Sequence, residues 1–254
     1  MRWRIFVLSA FLCFAACGDD DSDFISRPDG KESSSSVTPE SSDGETRNDG
    51  SEYDADANTL TDFRDGKTYK TVVVGLQTWM AENLNYEAAK SFCYSGEASN
   101  CAKYGRLYTW ATAMDSVGEW STNGMGCGYR SECSPTYPVR GVCPKGWHLP
   151  DTTEWQSLFS AVGGKTAACK MLKSTSGWNS NGEGLDAFGF SALPAGYRDD
   201  RGGWHYEGTE AYFCSSTEGG IEGASRLILL YDDEEAYLGI DYKYFAYSVR
   251  CVKD

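Results

Sequence analysis

The sequence predicts an α+β fold, with short helices and many short strands joined by long loops and stapled by disulfides. Three observations predict it. Short runs rich in Val, Tyr, Phe and Trp recur between Gly-rich and Ser-rich stretches, and β-branched and aromatic residues suit strands. Only one segment carries a full helix signature, at residues 151–162. Eight cysteines lie between Cys93 and Cys251, an even number, as expected of a disulfide framework.

The elements follow in chain order. Met1-Arg2-Trp3-Arg4 precedes an apolar run, Ile5 to Phe14, which ends in Ala15-Ala16-Cys17. A basic start, a short apolar core and small residues at a cut site read as an export signal over residues 1–16. The run of about ten residues is too short to cross a bilayer, which takes roughly 20. Cysteine directly after two alanines resembles the lipobox of bacterial lipoproteins, in which that residue is acylated. Cys17 is therefore the expected lipidation site. Phe14 departs from the usual Leu of that motif. The alternative is a signal cleaved by the general peptidase, with Cys17 left as a thiol.

Residues 17–58 read as a spacer. From Gly18 to Asn58 there are thirteen acidic and three basic residues, and almost nothing apolar. Such a segment buries too little surface to offset its ordering entropy, and like charges extend it. The acidic run after Cys17 resembles the surface-export signals of lipoproteins in some Gram-negative anaerobes. The expected location is the outer membrane, facing outward. The whole chain has a formal net charge of −14 and no basic patch. Nucleic acid is a poor candidate partner on that ground, and the acidity argues against docking of the folded part on anionic lipid. The membrane partner is the lipid anchor.

Residues 59–254, about 196 of them, are long enough for one domain with a proper core. Thr61 to Leu84 reads as a strand hairpin, with Asp65-Gly66 at its turn. Tyr108 to Met114 permits a short helix. Gly118 to Ser134 is a loop. At Asp151-Thr152-Thr153-Glu154 an N-cap acid is followed three residues later by Glu, a capping box. Trp155, Leu158, Phe159 and Val162 then form one apolar face, and Gly163-Gly164 ends the helix. Lys165 to Ser174 reads as a second helix with Ala168, Met171 and Leu172 inward. Strands are expected at 188–193, 206–214, 226–231, 236–240 and 245–252.

Eight cysteines allow 105 connectivities, and sequence alone does not choose among them. Spacing suggests local loops at Cys93–Cys101 and Cys127–Cys133 and a long closure at Cys143–Cys251, with Cys169–Cys214 as the remainder. Zinc is a poor alternative: there is no C-x-x-C, and His148 and His205 are the only histidines.

Several strings carry a family resemblance. They are Asp65-Gly66-Lys67-Thr68-Tyr69, Gln77-Thr78-Trp79-Met80-Ala81-Glu82-Asn83-Leu84 and Tyr104-Gly105-Arg106-Leu107-Tyr108-Thr109-Trp110. Further along come Cys143-Pro144-Lys145-Gly146-Trp147-His148-Leu149-Pro150, Glu154-Trp155, the stretch Phe188 to Tyr197, and Ser248-Val249-Arg250-Cys251-Val252. Together they resemble the Fibrobacter succinogenes major paralogous domain. That resemblance implies a C-type-lectin-like fold, and with it a Cys143–Cys251 bridge between the helix region and the last strand. Members commonly have Trp at the place of Cys214 and a non-cysteine at that of Cys169. These paired departures imply that the two bond each other. The resemblance carries no established chemistry.

The residues offer no catalytic set. His148, between Trp147 and Leu149 at a helix entrance, reads as a packed histidine rather than a general base, and His205 as a surface residue. Trp147 and Trp155 are expected in the core. No cofactor is expected. Calcium is the one candidate, at the acid runs Asp199-Asp200 and Asp232-Asp233-Glu234-Glu235, although the calcium-binding loops of lectins are absent. Aromatics are the better clue. Trp204, Tyr206 and Tyr212 lie near Arg198, Asp199 and Asp200. Planar rings stack on sugar faces, while acids and arginines hydrogen-bond hydroxyls. The expected function is a non-catalytic surface lipoprotein that binds polysaccharide or another glycan. The alternative is a structural module that docks on envelope proteins.

Overall fold

The computed structural model describes residues 48–254. Residues 1–16 and Cys17 lie outside the described residues, as does the spacer through residue 47. Among the described residues no helix is long and apolar enough to cross a membrane.

Among the described residues the fold is sheet-rich with four short α-helices. The first half contains β1 (Ser51–Asp54), β2 (Thr59–Asp62), β3 (Lys67–Val74), β4 (Gln77–Met80), β5 (Ser91–Phe92), α1 (Ala98–Tyr104), β6 (Leu107–Thr109) and α2 (Trp110–Ala113). Then come β7 (Trp147–His148), α3 (Thr152–Ala161), α4 (Lys165–Leu172), β8 (Tyr197–Arg198), β9 (Trp204–His205), β10 (Glu210–Glu218), β11 (Gly223–Leu230), β12 (Ala236–Tyr242), β13 (Ala246–Ser248) and β14 (Val252–Lys253). One sheet has the order β1-β2-β3-β4-β14-β7. The other runs β12-β11-β10-β13-β6-β5, and β8 and β9 join it beside β13.

The expected spacer therefore ends sooner than residue 58. Ser51–Asp54 pairs antiparallel with Thr59–Asp62, and Tyr53 packs edge-on against Trp147 at 5.8 Å. The ladder to β2, this ring contact and a bond from the Ser51 hydroxyl to the Lys145 carbonyl hold that strand on the sheet.

Strand β10 organises the interior. Six consecutive residues, Ala211 to Ser216, are buried, because both faces of this strand are covered. Side chains alternate along a strand. Ala211 and Phe213 join a core with Trp79, Trp155, Leu158, Leu172 and Phe190 under the helices. Tyr212 and Cys214 face a second core with Tyr108, Trp110, Trp147, Val249 and Cys251. Trp147 and Trp155 are both buried. The ring centroids of Trp79 and Trp155 are 4.7 Å apart. Each such side chain contributes roughly 1.5–3 kcal/mol through burial.

Helix α3 starts as its sequence dictates. The Asp151 carboxylate accepts the Glu154 N–H at 2.9 Å, and Glu154 accepts the Asp151 N–H at 3.0 Å. Gly163 and Gly164 both adopt positive φ and turn the chain into α4.

Three disulfides form among the described residues: Cys93–Cys101, Cys127–Cys133 and Cys143–Cys251. The expected Cys169–Cys214 bridge does not form; both are buried free thiols. Cys169 sits on α4 in the helix-side core, whereas Cys214 points from β10 into the opposite core. The sheet stands between them.

Other expectations need correction. Residues 188–193 form a turn rather than a strand, with Gly189 and Ser191 at positive φ. The Asp186 carboxylate accepts both the N–H and the hydroxyl of Ser191, so a local bond replaces the ladder. Tyr206 also has positive φ, and its strand begins at Glu210. The expected strand 245–252 divides between the two sheets as β13 and β14. The segment from Tyr108 is first strand β6, then helix α2, capped by the Thr109 side chain.

Candidate functional site: an aromatic cleft

A surface rich in aromatic rings lies where β8, β9 and the turn after β12 meet. Gly196 makes this meeting tight. Its φ is +62°, and a Cβ there would stand 2.0 Å from the His205 carbonyl oxygen. Only glycine lets β8 and β9 close at that point.

A cleft of about 440 Å³ opens beside this hairpin, lined by Lys90, Phe92, Tyr129, Arg198, Asp200 and Tyr244, with the buried Lys243 at its floor. The Arg198 guanidinium stacks over Phe92 at 4.1 Å and lies 5.5 Å from the Trp204 ring. Lys243 pairs with Glu218 and sits 4.5 Å from the ring centroid of Trp110. Its charge is thus neutralised from within.

An aromatic strip continues from the cleft. Tyr129 meets Tyr244 at 4.8 Å, and Tyr244 stacks on Tyr242 at 4.9 Å with 11° between planes. Phe245 then joins Tyr244 to Tyr197, which stacks on His205 and meets Tyr206. Tyr206 and Tyr242 are exposed at 52% and 47%. Burial raises the Tyr197 and Tyr244 hydroxyls above their ordinary pKa. Both rings therefore keep neutral O–H groups that donate and accept at physiological pH.

The sequence-predicted residues divide among several roles. Arg198 and Asp200 line the cleft. Tyr206 crowns the far end of the strip. Trp204 turns inward instead, packing on Tyr94 at 5.2 Å and backing Arg198. Tyr212 is buried, stacked on Tyr247 at 5.2 Å with its hydroxyl donating to Glu210. Asp199 holds the β8–β9 turn: it accepts N–H bonds from Arg201 and Gly203 and pairs with His205 at 2.8 Å. The His205 and Gly203 bonds hold its carboxyl below the usual range. Lys90, Phe92, Tyr129, Tyr242 and Tyr244 were missed. The available signal was the run Tyr242-Lys243-Tyr244-Phe245, too aromatic for an ordinary turn.

Three of the four acids in the run 232–235 are likewise committed. Asp233 accepts the Glu235 N–H and the Tyr237 hydroxyl, while Glu234 and Glu235 pair with Lys170 and Lys165. Among the described residues no group of three His, Cys, Asp or Glu side chains is placed to hold a metal ion. His148 is a structural element. Its two ring nitrogens bond Asp254 at 2.7 Å and Glu154 at 2.8 Å. Burial acts to lower its pKa, but the two carboxylates outweigh that and raise it above 6.5.

Fold and cleft together define a disulfide-stapled, sheet-rich domain with an exposed aromatic face. Residues 72–253 match the family model of the Fibrobacter succinogenes major domain, and the chain belongs to that family. Comparison with curated proteins and with solved structures finds no match.

Proposed function

We propose that this protein is a non-catalytic surface lipoprotein that recognises a polysaccharide or another glycan. The observation that carries this reading is the continuous aromatic strip from Tyr129 through Tyr244 and Tyr197 to Tyr206, flanked by Arg198 and Asp200. Aromatic faces give sugar rings a flat apolar seat, and the charged side chains address hydroxyls at its edge. The C-type-lectin-like fold that the sequence resemblance implies would fit the same reading. So would the N-terminal pattern ending at Cys17, which would tether the domain to the outer membrane on a short spacer.

A second reading is a protein-docking module of the envelope. Ile221 and Ile240 are exposed at 52% and 62% beside the edge strand β12, and they support it.

The test is retention of the full chain on insoluble cellulose, xylan and pectin, with and without a chelator. Retention that survives chelation and falls at least about tenfold in Tyr244→Ala supports the glycan reading, an anchor aromatic being worth over 1 kcal/mol. No retention on any polymer moves the reading to protein docking. Retention lost on chelation returns the acid runs as a calcium site.

A further inference from the structure

A second cavity, of about 500 Å³, lies away from the aromatic strip. It opens between β3, the segment 81–85, the end of α1 and the turns at 174–176 and 186–193. Its lining is mostly polar, including Asn83, Asn85, Thr68, Ser176 and Ser191. Arg250 forms part of its wall, and that residue is fully buried.

All three guanidinium nitrogens of Arg250 are bonded, but none of them to an acid. Its Nε donates to the Asn83 amide oxygen at 2.8 Å. One terminal nitrogen serves the Met80 and Phe190 carbonyls, and the other serves Ser191 O at 2.9 Å. Those are four of five N–H groups. Among the described residues no carboxylate stands within ion-pair distance. Glu82 accepts the Lys70 N–H, and Asp186 is taken by Ser191. Burial pulls the guanidinium down to about 9, and the charges of Asp186 and Glu82 only partly offset it. A buried cation without a counter-charge is costly unless something pairs with it. At the rim, Lys70 is exposed, and among the described residues its ammonium has no acid partner.

We propose that this cavity binds a carboxylate-bearing sugar, a hexuronate, with Lys70 addressing the carboxylate, the buried charge of Arg250 behind the wall favouring an anion, and the neutral polar lining addressing the hydroxyls. Hydroxyls suit the mixture of amide and hydroxyl groups around it. Glu82 and Asp186 in the same lining disfavour a dianion such as phosphate, and they accept hydroxyl hydrogens instead. The volume falls in the range of small-ligand sites. Gly105 keeps the cavity wall close: its φ is +73°, and a Cβ there would stand 2.8 Å from Asn83. This inference rests on the glycan reading for its ligand class, and not on the aromatic strip.

The test is titration of the isotope-labelled full chain with galacturonate, glucuronate, their neutral parent hexoses and inorganic phosphate at constant ionic strength, followed by amide shifts. Saturable binding of a uronate is expected, with shifts at Asn83, Gly105 and Ser176, at least about tenfold weaker for the neutral hexose. Lys70→Ala is expected to weaken it about fivefold while leaving the fold intact. Arg250→Lys, if folded, is expected to weaken it further. Equal binding of the neutral sugar, tighter binding of phosphate, shifts confined to the Arg198 cleft, or an unaffected Lys70→Ala each overturn the proposal, as does no saturable binding. Uronate binding here with no polymer retention at the cleft would refute the cleft and leave this site standing. Polymer retention that needs Tyr244, without uronate shifts here, would do the reverse.

Discussion

Removing the Cys143–Cys251 bridge should cost more stability than removing either local bridge, and the structure sets the size of the difference. This bond closes 108 residues, whereas Cys93–Cys101 closes 8. In the chain-entropy treatment, constraint of the unfolded chain grows with the logarithm of the loop. The long closure is then worth about 4.8 kcal/mol and the short one about 2.5 kcal/mol. Packing adds in the same direction, since Cys143 and Cys251 are completely buried between Trp147, Val249 and Leu149. Urea unfolding of Cys143→Ala/Cys251→Ala against Cys93→Ala/Cys101→Ala measures the difference. With a urea slope of about 2–3 kcal/mol per molar, the midpoints should fall by roughly 2 M and 1 M. A second comparison removes the packing contribution. In a background that lacks the two local bridges, dithiothreitol opens only Cys143–Cys251 and leaves both sulfurs in place. The loss should still be near 4–5 kcal/mol. If the short bridge costs as much as the long one, or if reduction costs under about 2 kcal/mol, the entropic reasoning fails.

Three further outcomes are expected. Because the folded-state pKa of His148 is raised above 6.5, its contribution is complete below 6.5 and is lost as pH rises through the folded value; His148→Gln should flatten that fall and cost about 1–2 kcal/mol at pH 6, by urea titration across pH 5–9. Gly196→Ala should destabilise by at least about 2 kcal/mol in the same assay, since its Cβ meets the His205 carbonyl and its φ is positive. Burial pushes the thiol of Cys169 up to about 11 and that of Cys214 up to about 12, so both should resist alkylation at pH 8 until urea unfolds the chain, as read by peptide mass mapping.

Legibility followed the range of the interactions. The α3 start was readable because a capping box lies within four residues, and Asp151 and Glu154 satisfy it alone. The local bridges were readable for the same reason. The failures all involve partners distant in sequence or bonds that override periodicity. Residues 188–193 alternate well enough for a strand, yet Asp186 captures Ser191 and bends the chain. Cys169 and Cys214 were expected to pair by elimination and from the family resemblance, because alternation along β10 could not be assigned to a face before both cores were known. Trp204 and Tyr206 are two residues apart, so strand alternation alone would have put them on one face. The positive φ of Tyr206 breaks that alternation and sends the two rings to different neighbours. The cleft itself draws on residues from Lys90 to Tyr244, and no local pattern announces such a gathering.

The last thirteen residues serve both candidate sites. Tyr242, Tyr244 and Phe245 build the aromatic strip, Arg250 reaches the polar cavity, and Cys251 locks the next position to Cys143. Val252 then pairs with both Trp79 and His148. The cavity is therefore one residue from the clasp, while the strip is six or more residues away and held by β13 against β6 and β8. Hydrogen bonds around Arg250 depend on where Cys251 fixes the backbone, because Met80 donates its N–H to the Cys251 carbonyl. Opening the clasp should loosen the cavity before the strip. Faster amide exchange at Met80, relative to Ala246, after selective reduction would reveal that order. Equal acceleration at both would mean that the two sheets open as one cooperative unit and that the clasp acts only through the unfolded chain.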